Sequence, residues 1–199
     1  MTLHSQSPTK AIAFTLLLAL GSIPSPATAA APDLADAAGN YGITPASRIH
    51  FTVAQAGGGG IVGDFAKFSG NFRIDRNDVG HSTVEFTLYP ESVKTGEKRI
   101  EDFLKSSAVF DTANFSTVTF HSTTVKQTGP DTAAVEGTLT ARGMSRKERF
   151  SVTLLDWNRG SIAFNIRGNI HRSPYGMDVG TPIYSNVVEF DMNIKGQRR

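Results

Sequence analysis

The strongest constraint in this 199-residue chain is an alternation of apolar and polar residues at a period of two, repeated along most of its length. Ile49, Phe51 and Val53 alternate with Arg48, His50 and Thr52, and the pattern returns in Val84, Phe86 and Leu88, in Val118 and Phe120, and in Val135 and Leu139. It continues in Phe150, Val152 and Leu154, in Ile162, Phe164 and Ile166, and in Val188, Phe190, Met192 and Ile194. Successive side chains of a strand point to opposite faces, so each run predicts a strand with one buried face. Turn-forming clusters lie between them: Arg76-Asn77-Asp78-Val79-Gly80, residues 127–131 (QTGPD) and Asn158-Arg159-Gly160. Short strands at roughly ten-residue spacing form an antiparallel meander, hence an all-β sandwich or barrel of eight or nine strands. A closed barrel of about eight strands holds either packed side chains or one small ligand.

The first 29 residues do not fit that pattern and read as an export signal. Lys10 gives a positive start, residues 11–20 (AIAFTLLLAL) are an unbroken apolar run, and residues 21–29 end in Ala27-Thr28-Ala29, with cleavage expected after Ala29. A bilayer span needs about twenty apolar residues, so no stable membrane anchor is expected. The chain has no cysteine, so core packing alone must hold the fold. The expected location is the periplasm, or outside the cell. Formal net charge is +2 and Lys10 is the only charged side chain of the leader, so the mature chain is nearly neutral, which argues against nucleic acid as a partner. Residues 30–40 carry only Leu34 as a large apolar group and predict a flexible lead-in to a domain spanning residues 41–199.

One segment has a different period. Residues 98–106 (KRIEDFLKS) place Ile100, Phe103 and Leu104 at helical spacing, a short helix over one barrel mouth. Residues 57–60 are four glycines with no Lys-Ser/Thr pair after them, so they predict a turn and not a phosphate loop. His50, His81, His121 and His171 are scattered without metal spacing, and no nucleophile elbow or zinc-protease motif occurs, so no enzyme is predicted. Glu148 is the one strand carboxylate on an apolar face.

Several segments in order resemble the YceI-like family of polyisoprenoid-binding proteins. Tyr41-Gly42-Ile43 and Ile49-His50-Phe51 resemble its first strand, and residues 62–70 (VGDFAKFSG) its hairpin. Ser92-Val93-Lys94-Thr95 leading to Phe103-Leu104-Lys105-Ser106 resembles its helical segment. Residues 118–122 (VTFHS), 135–146 (VEGTLTARGMSR) and 171–177 (HRSPYGM) complete the set. The chain departs from the family's pattern at polar positions, with Ala46 and Gln55 where histidines are usual, Ile100-Glu101 for an Arg-Asp pair, Phe103 for a histidine, Ser116 for a proline and Pro174 for a loop aspartate.

The resemblance implies a single lipocalin-like extended barrel with a helix at one mouth. It also implies a long-chain amphiphile in the interior (a polyisoprenoid, isoprenoid quinone, polyprenyl phosphate or fatty amide) and no other cofactor. On that reading Phe51, Val53, Phe65, Phe86, Leu88, Phe103, Phe120, Phe150, Phe164 and Phe190 contact the ligand chain, and Arg172 and Tyr175 its head group. Arg142 and Arg146 are further loop cations for an anionic head. Thirteen phenylalanines against one tryptophan and four tyrosines fit an apolar interior independently. From the residues alone other readings stay open beside rings lining a cavity: rings filling a dry core in a barrel that acts through its surface as a stress or partner-binding protein, and an enzyme acting on such a lipid, disfavoured because no acid/base constellation is visible. A homodimer through an edge strand or the covering helix is equally open.

Overall fold

The computed structural model describes residues 1–2 and 33–199. The export signal, apart from its first two residues, and residues 30–32 of the lead-in lie outside the described residues. The strands are β1 (Gly39–Ile43), β2 (Arg48–Ala54), β3 (Gly60–Phe65), β4 (Phe68–Ile74), β5 (Thr83–Leu88), β6 (Val93–Lys94), β7 (Val118–Gln127), β8 (Thr132–Ala141), β9 (Met144–Trp157), β10 (Ser161–His171) and β11 (Val187–Arg198). Among the described residues a single α-helix, α1 (Lys98–Lys105), follows β6, at the place the helical spacing predicts.

Every ladder is antiparallel. The order β1-β4-β5-β7-β8-β9-β10-β11 closes on itself through β1 and β11, which makes an eight-membered barrel. The eleven strand segments reduce to eight because three barrel strands are broken by short kinks. β1 and β2 both run along β11, with Tyr41 opposite Arg198 and His50 opposite Asp191. β4 and β3 follow them on the other side, and β5 and β6 follow those. At the first kink the hydroxyl of Ser47 accepts the Lys195 amide at 2.8 Å, so the ladder is satisfied across the break.

The barrel has two unlike ends. At the lower end residues 33–38 are docked, contrary to the expectation of a flexible lead-in. Leu34 is buried, and its amide donates to the Pro130 carbonyl at 2.9 Å. The hydroxyl of the fully buried Tyr41 donates to the Ala37 carbonyl at 2.7 Å, and its ring stacks on Phe72 at 5.2 Å. The strand that opens the barrel therefore starts at Gly39, two residues before the expected boundary. With Val79, which the 3-10 turn Val79–His81 points inward, Leu34 makes the floor of the barrel. The upper end carries the β2–β3 hairpin, α1 and the chain after it, the β8–β9 turn, and the long connection between β10 and β11.

Outside the barrel, Arg48 donates to both oxygens of Asp64 at 2.8 and 3.0 Å, and His50 Nδ1 lies 2.9 Å from the same carboxylate. The Arg48 hydrogen bond, aided by His50, holds the Asp64 carboxyl below its ordinary range. A depressed acid contributes stability at pH values above its unfolded pKa, and that contribution disappears as pH falls through the folded value. Half-exposed pairs are screened, so the gain is at most about 1 kcal/mol. Asp64→Asn is therefore expected to lower the melting temperature slightly at pH 7 and to leave it unchanged near pH 2. Equal losses at both values would show that the carboxylate's charge plays no part.

Candidate functional site

The interior is not filled. A cavity of about 240 Å³ runs inside the barrel, walled almost wholly by carbon. Its existence follows from the glycines at inward strand positions. A Cβ at Gly63 would stand 2.8 Å from Phe51 Cε1, one at Gly137 2.7 Å from Phe120 Cε2, and one at Gly168 2.7 Å from Phe150 Cε1. These separations are well inside van der Waals contact. Each ring lies flat on bare backbone of a neighbouring strand, where a larger residue would push it toward the axis. The rings also brace one another. Phe120 meets Phe150 edge to face at 5.3 Å, Phe72 meets Phe164 at 5.6 Å, and Phe51 tilts against Phe65 at 5.1 Å. The phenylalanines thus form a lining and leave the axis open, which decides against the filled-core reading.

All ten apolar residues expected along the tunnel border this cavity: Phe51, Val53, Phe65, Phe86, Leu88, Phe103, Phe120, Phe150, Phe164 and Phe190. Phe103 is the outlier, since it is 42% exposed and stands at the rim. The sequence reading missed several wall residues. Leu34, Phe72 and Val79 close the lower part, and Val109 and Phe110 follow α1 without a strand or helix period to mark them. Phe110 packs edge-on against Phe65 at 5.8 Å, so the upper cover is α1 together with this Ala-Val-Phe step and not the helix alone.

Arg172 requires a correction. It is 7% exposed and borders the cavity, but its guanidinium faces away from any ligand role. Nε donates to the Ser185 carbonyl at 2.8 Å. Nη1 donates to the Met177 carbonyl and to that of Val179 at 2.9 Å, and Nη2 to Thr181 Oγ1 at 2.9 Å and the Tyr184 carbonyl at 3.1 Å. A guanidinium has five N–H groups, and all five are used. Arg172 is thus the pin of the 172–185 connection and has no donor left for a head group. Burial lowers its pKa, offset in part by the charge of Asp178.

Tyr175 is fully buried in the same connection and donates to Glu148 Oε1 at 2.8 Å. Burial and the Glu148 carboxylate together raise its pKa, so it stays a neutral phenol. The inward placement of Glu148 thus has a partner. The bond fastens the β10–β11 connection to β9 where the β9–β10 ladder has already ended, its last pair being Arg167 and Ser151. Arg142 is a second fastening and not a free cation. It sits in the two-residue β8–β9 turn with φ of 50°, followed by Gly143 at 71°, and donates to the Val109 carbonyl at 3.0 Å and the Gly176 carbonyl at 2.6 Å. Arg146 is exposed and bonds only the neighbouring Ser145 carbonyl. The upper mouth is therefore a set of separate segments tied by Arg142, Tyr175 and Arg172. None of His50, His81, His121 and His171 borders the cavity.

A family model described as the YceI-like domain matches residues 41–196. The chain belongs to the YceI-like family. The YceI-like barrel is 25% identical over 153 residues to protein YceI of Salmonella arizonae, covering 74% of this chain and 80% of that protein. It is 32% identical over 98 residues to a UPF0312 protein of Ectopseudomonas mendocina, a match that spans 49% of this chain and about half, 51%, of that relative. Among solved structures, BcnA of Burkholderia cenocepacia superposes with a TM-score of 0.71 at 23% identity, covering 77% of this chain and 98% of that one. A polyisoprenoid binding domain from Saccharophagus degradans, implicated in plant cell wall breakdown, superposes with a TM-score of 0.67 at 16% identity, covering 81% and 99%. These structures share the closed eight-stranded fold of the YceI-like barrel.

Proposed function

We propose that this YceI-like barrel binds one long-chain amphiphilic lipid, a polyisoprenoid or a molecule of similar build, with its apolar chain inside the barrel. The observation that carries this is the carbon-walled cavity itself, open along an axis that the phenylalanines of its wall would otherwise fill. Burying apolar carbon is worth about 0.8 kcal/mol per methylene, so a single five-carbon isoprene unit gains at most roughly 3 to 4 kcal/mol, part of which offsets the ordering of the chain. The floor made by Leu34 and Val79 and the segmented upper mouth favour entry tail-first from above. The Saccharophagus degradans domain is a polyisoprenoid binding domain, and its likeness to this barrel supports the same ligand class here.

The role is binding and not catalysis. Glu148, tied to the cavity wall through Tyr175, is engaged by that hydroxyl, and among the described residues no histidine borders the cavity. With the leader-like residues 1–29, the reading is of an exported carrier or sequestering protein that takes up its lipid in the periplasm. Among the described residues no helix is long and apolar enough to cross a membrane.

Native mass spectrometry of detergent-free protein, followed by organic extraction, tests this directly. A stoichiometric lipid of several isoprene units is the expected result. A bare mass that does not change on incubation with polyprenyl phosphates, quinones and fatty amides would overturn it.

A further inference from the structure

Six large apolar side chains of the described barrel residues are strongly exposed, and their distribution is one-sided. Five belong to the upper end. Val62 is the third residue of β3, below the glycine hairpin, Phe103 is on α1, Met144 opens β9, and Val179 and Ile183 are in the β10–β11 connection. Only Leu155 lies elsewhere. Ile183 is 59% exposed, and its carbonyl accepts the Ala56 amide at 2.8 Å, which places it against the glycine hairpin. Phe103 and Val179 are at once wall of the cavity and part of this outer surface, so the apolar lining continues without a break onto the rim. Clustered apolar exposure of this kind marks a contact surface.

The charges around it are of a particular kind. Lys98 pairs with Asp102 at 2.8 Å, Lys94 with Glu101 at 3.4 Å and Lys105 with Glu91 at 3.4 Å. The three lysines of the cover are thus paired within the rim, and the other cations there, Arg99, Arg146 and Lys147, are matched in number by Glu97, Asp111 and Asp178. Such a surface suits neutral head groups and gives an anionic one no particular advantage.

We infer that the upper mouth docks on a lipid bilayer of neutral head groups, with Val62, Phe103, Met144, Val179 and Ile183 inserted at its surface, so that the lipid passes between bilayer and lumen without crossing water. The inference rests on the lipid-binding reading above and adds the surface through which the ligand is exchanged. Burying these side chains in the head-group region supplies the attraction, and the balance of cations and carboxylates around the rim makes it insensitive to salt.

Flotation with phosphatidylcholine–phosphatidylethanolamine vesicles tests it, alongside binding of a fluorescent polyprenyl probe in solution. The purified protein is expected to float with the vesicles equally at low salt and at about 0.5 M salt. Met144→Ser combined with Ile183→Ser removes two rim side chains that are not part of the cavity wall. It is expected to lower vesicle partitioning about tenfold and to leave probe affinity unchanged. Leu155→Ser, at the other end, is expected to alter neither.

A protein that binds the probe but does not float refutes the docking surface alone, as does a double variant that floats like the parent. Binding that vanishes in salt, or sedimentation showing a dimer that the double variant dissolves, refutes it in favour of an anionic surface or a second copy of the chain. Failure to bind the probe at all refutes the lumen reading, and the docking inference with it.

Discussion

Arg172→Ala is expected to destabilise the protein by about 3 kcal/mol, because it strands four carbonyl oxygens, that of Met177 buried and those of Val179, Tyr184 and Ser185 partly so, that have no other donor. The connection between β10 and β11 has little regular structure of its own, and one side chain ties Met177, Val179, Thr181, Tyr184 and Ser185 to a common point. Lysine has three donors on a single nitrogen and cannot reach five acceptors arranged around a planar fork, so Arg172→Lys recovers little. Urea denaturation measures the loss, and limited proteolysis is expected to cut within residues 172–186 before anywhere else in the barrel. An alanine variant of unchanged midpoint that bound a polyprenol normally but a polyprenyl phosphate poorly would restore the head-group role and remove the pin.

Gly168→Val is expected to weaken binding of a polyisoprenoid about a hundredfold. The added Cβ overlaps the Phe150 ring, which lies over the glycine and is backed by the strand, so the ring has only the lumen to move into. An aromatic ring needs a space on the order of 150 Å³. The cavity offers about 240 Å³, so more than half of it closes. Excluding about one isoprene unit forfeits roughly 3 kcal/mol of burial, which corresponds to the hundredfold figure. The crowding itself costs about 1–3 kcal/mol of stability. Adding Phe150→Ala to the Gly168→Val background clears the lumen and is expected to return most of the affinity. If affinity stays intact in the single variant, the ligand lies somewhere other than beside this wall.

The strands that were legible in the sequence are those whose inward positions hold large apolar residues, such as Ile162, Phe164 and Ile166 on β10. β3 and β4 show no such alternation because Gly63 and Gly70 take inward positions, and the ring of Phe51 and the side chain of Ile43 fill the space from other strands. The signal there is carried by a neighbour distant in sequence, and periodicity cannot register it; only the family resemblance pointed to that hairpin. Leu34 was passed over for a similar reason. It is the lone apolar residue in an alanine-rich stretch, and it is buried because Pro130, nearly a hundred positions on, offers its carbonyl. Within the candidate site the apolar wall was readable, since alternation fixes which side chains face inward. The arginines were not, because composition shows a donor without showing which oxygen it meets. Arg142 and Arg172 look alike in sequence, and both turn out to hold the mouth together.

The junction of β11 with both β1 and β2 also governs when the cavity can exist. Tyr41 and Arg198 face each other across 157 positions, and Ser47 and Lys195 across 148. Contacts that distant form late and slowly, because the intervening chain must first be gathered. Until Val187–Arg198 has joined the first strand, no closed wall surrounds the phenylalanines. Loading can therefore only follow the pairing of these two most distant strands, which supplies the last side of the container.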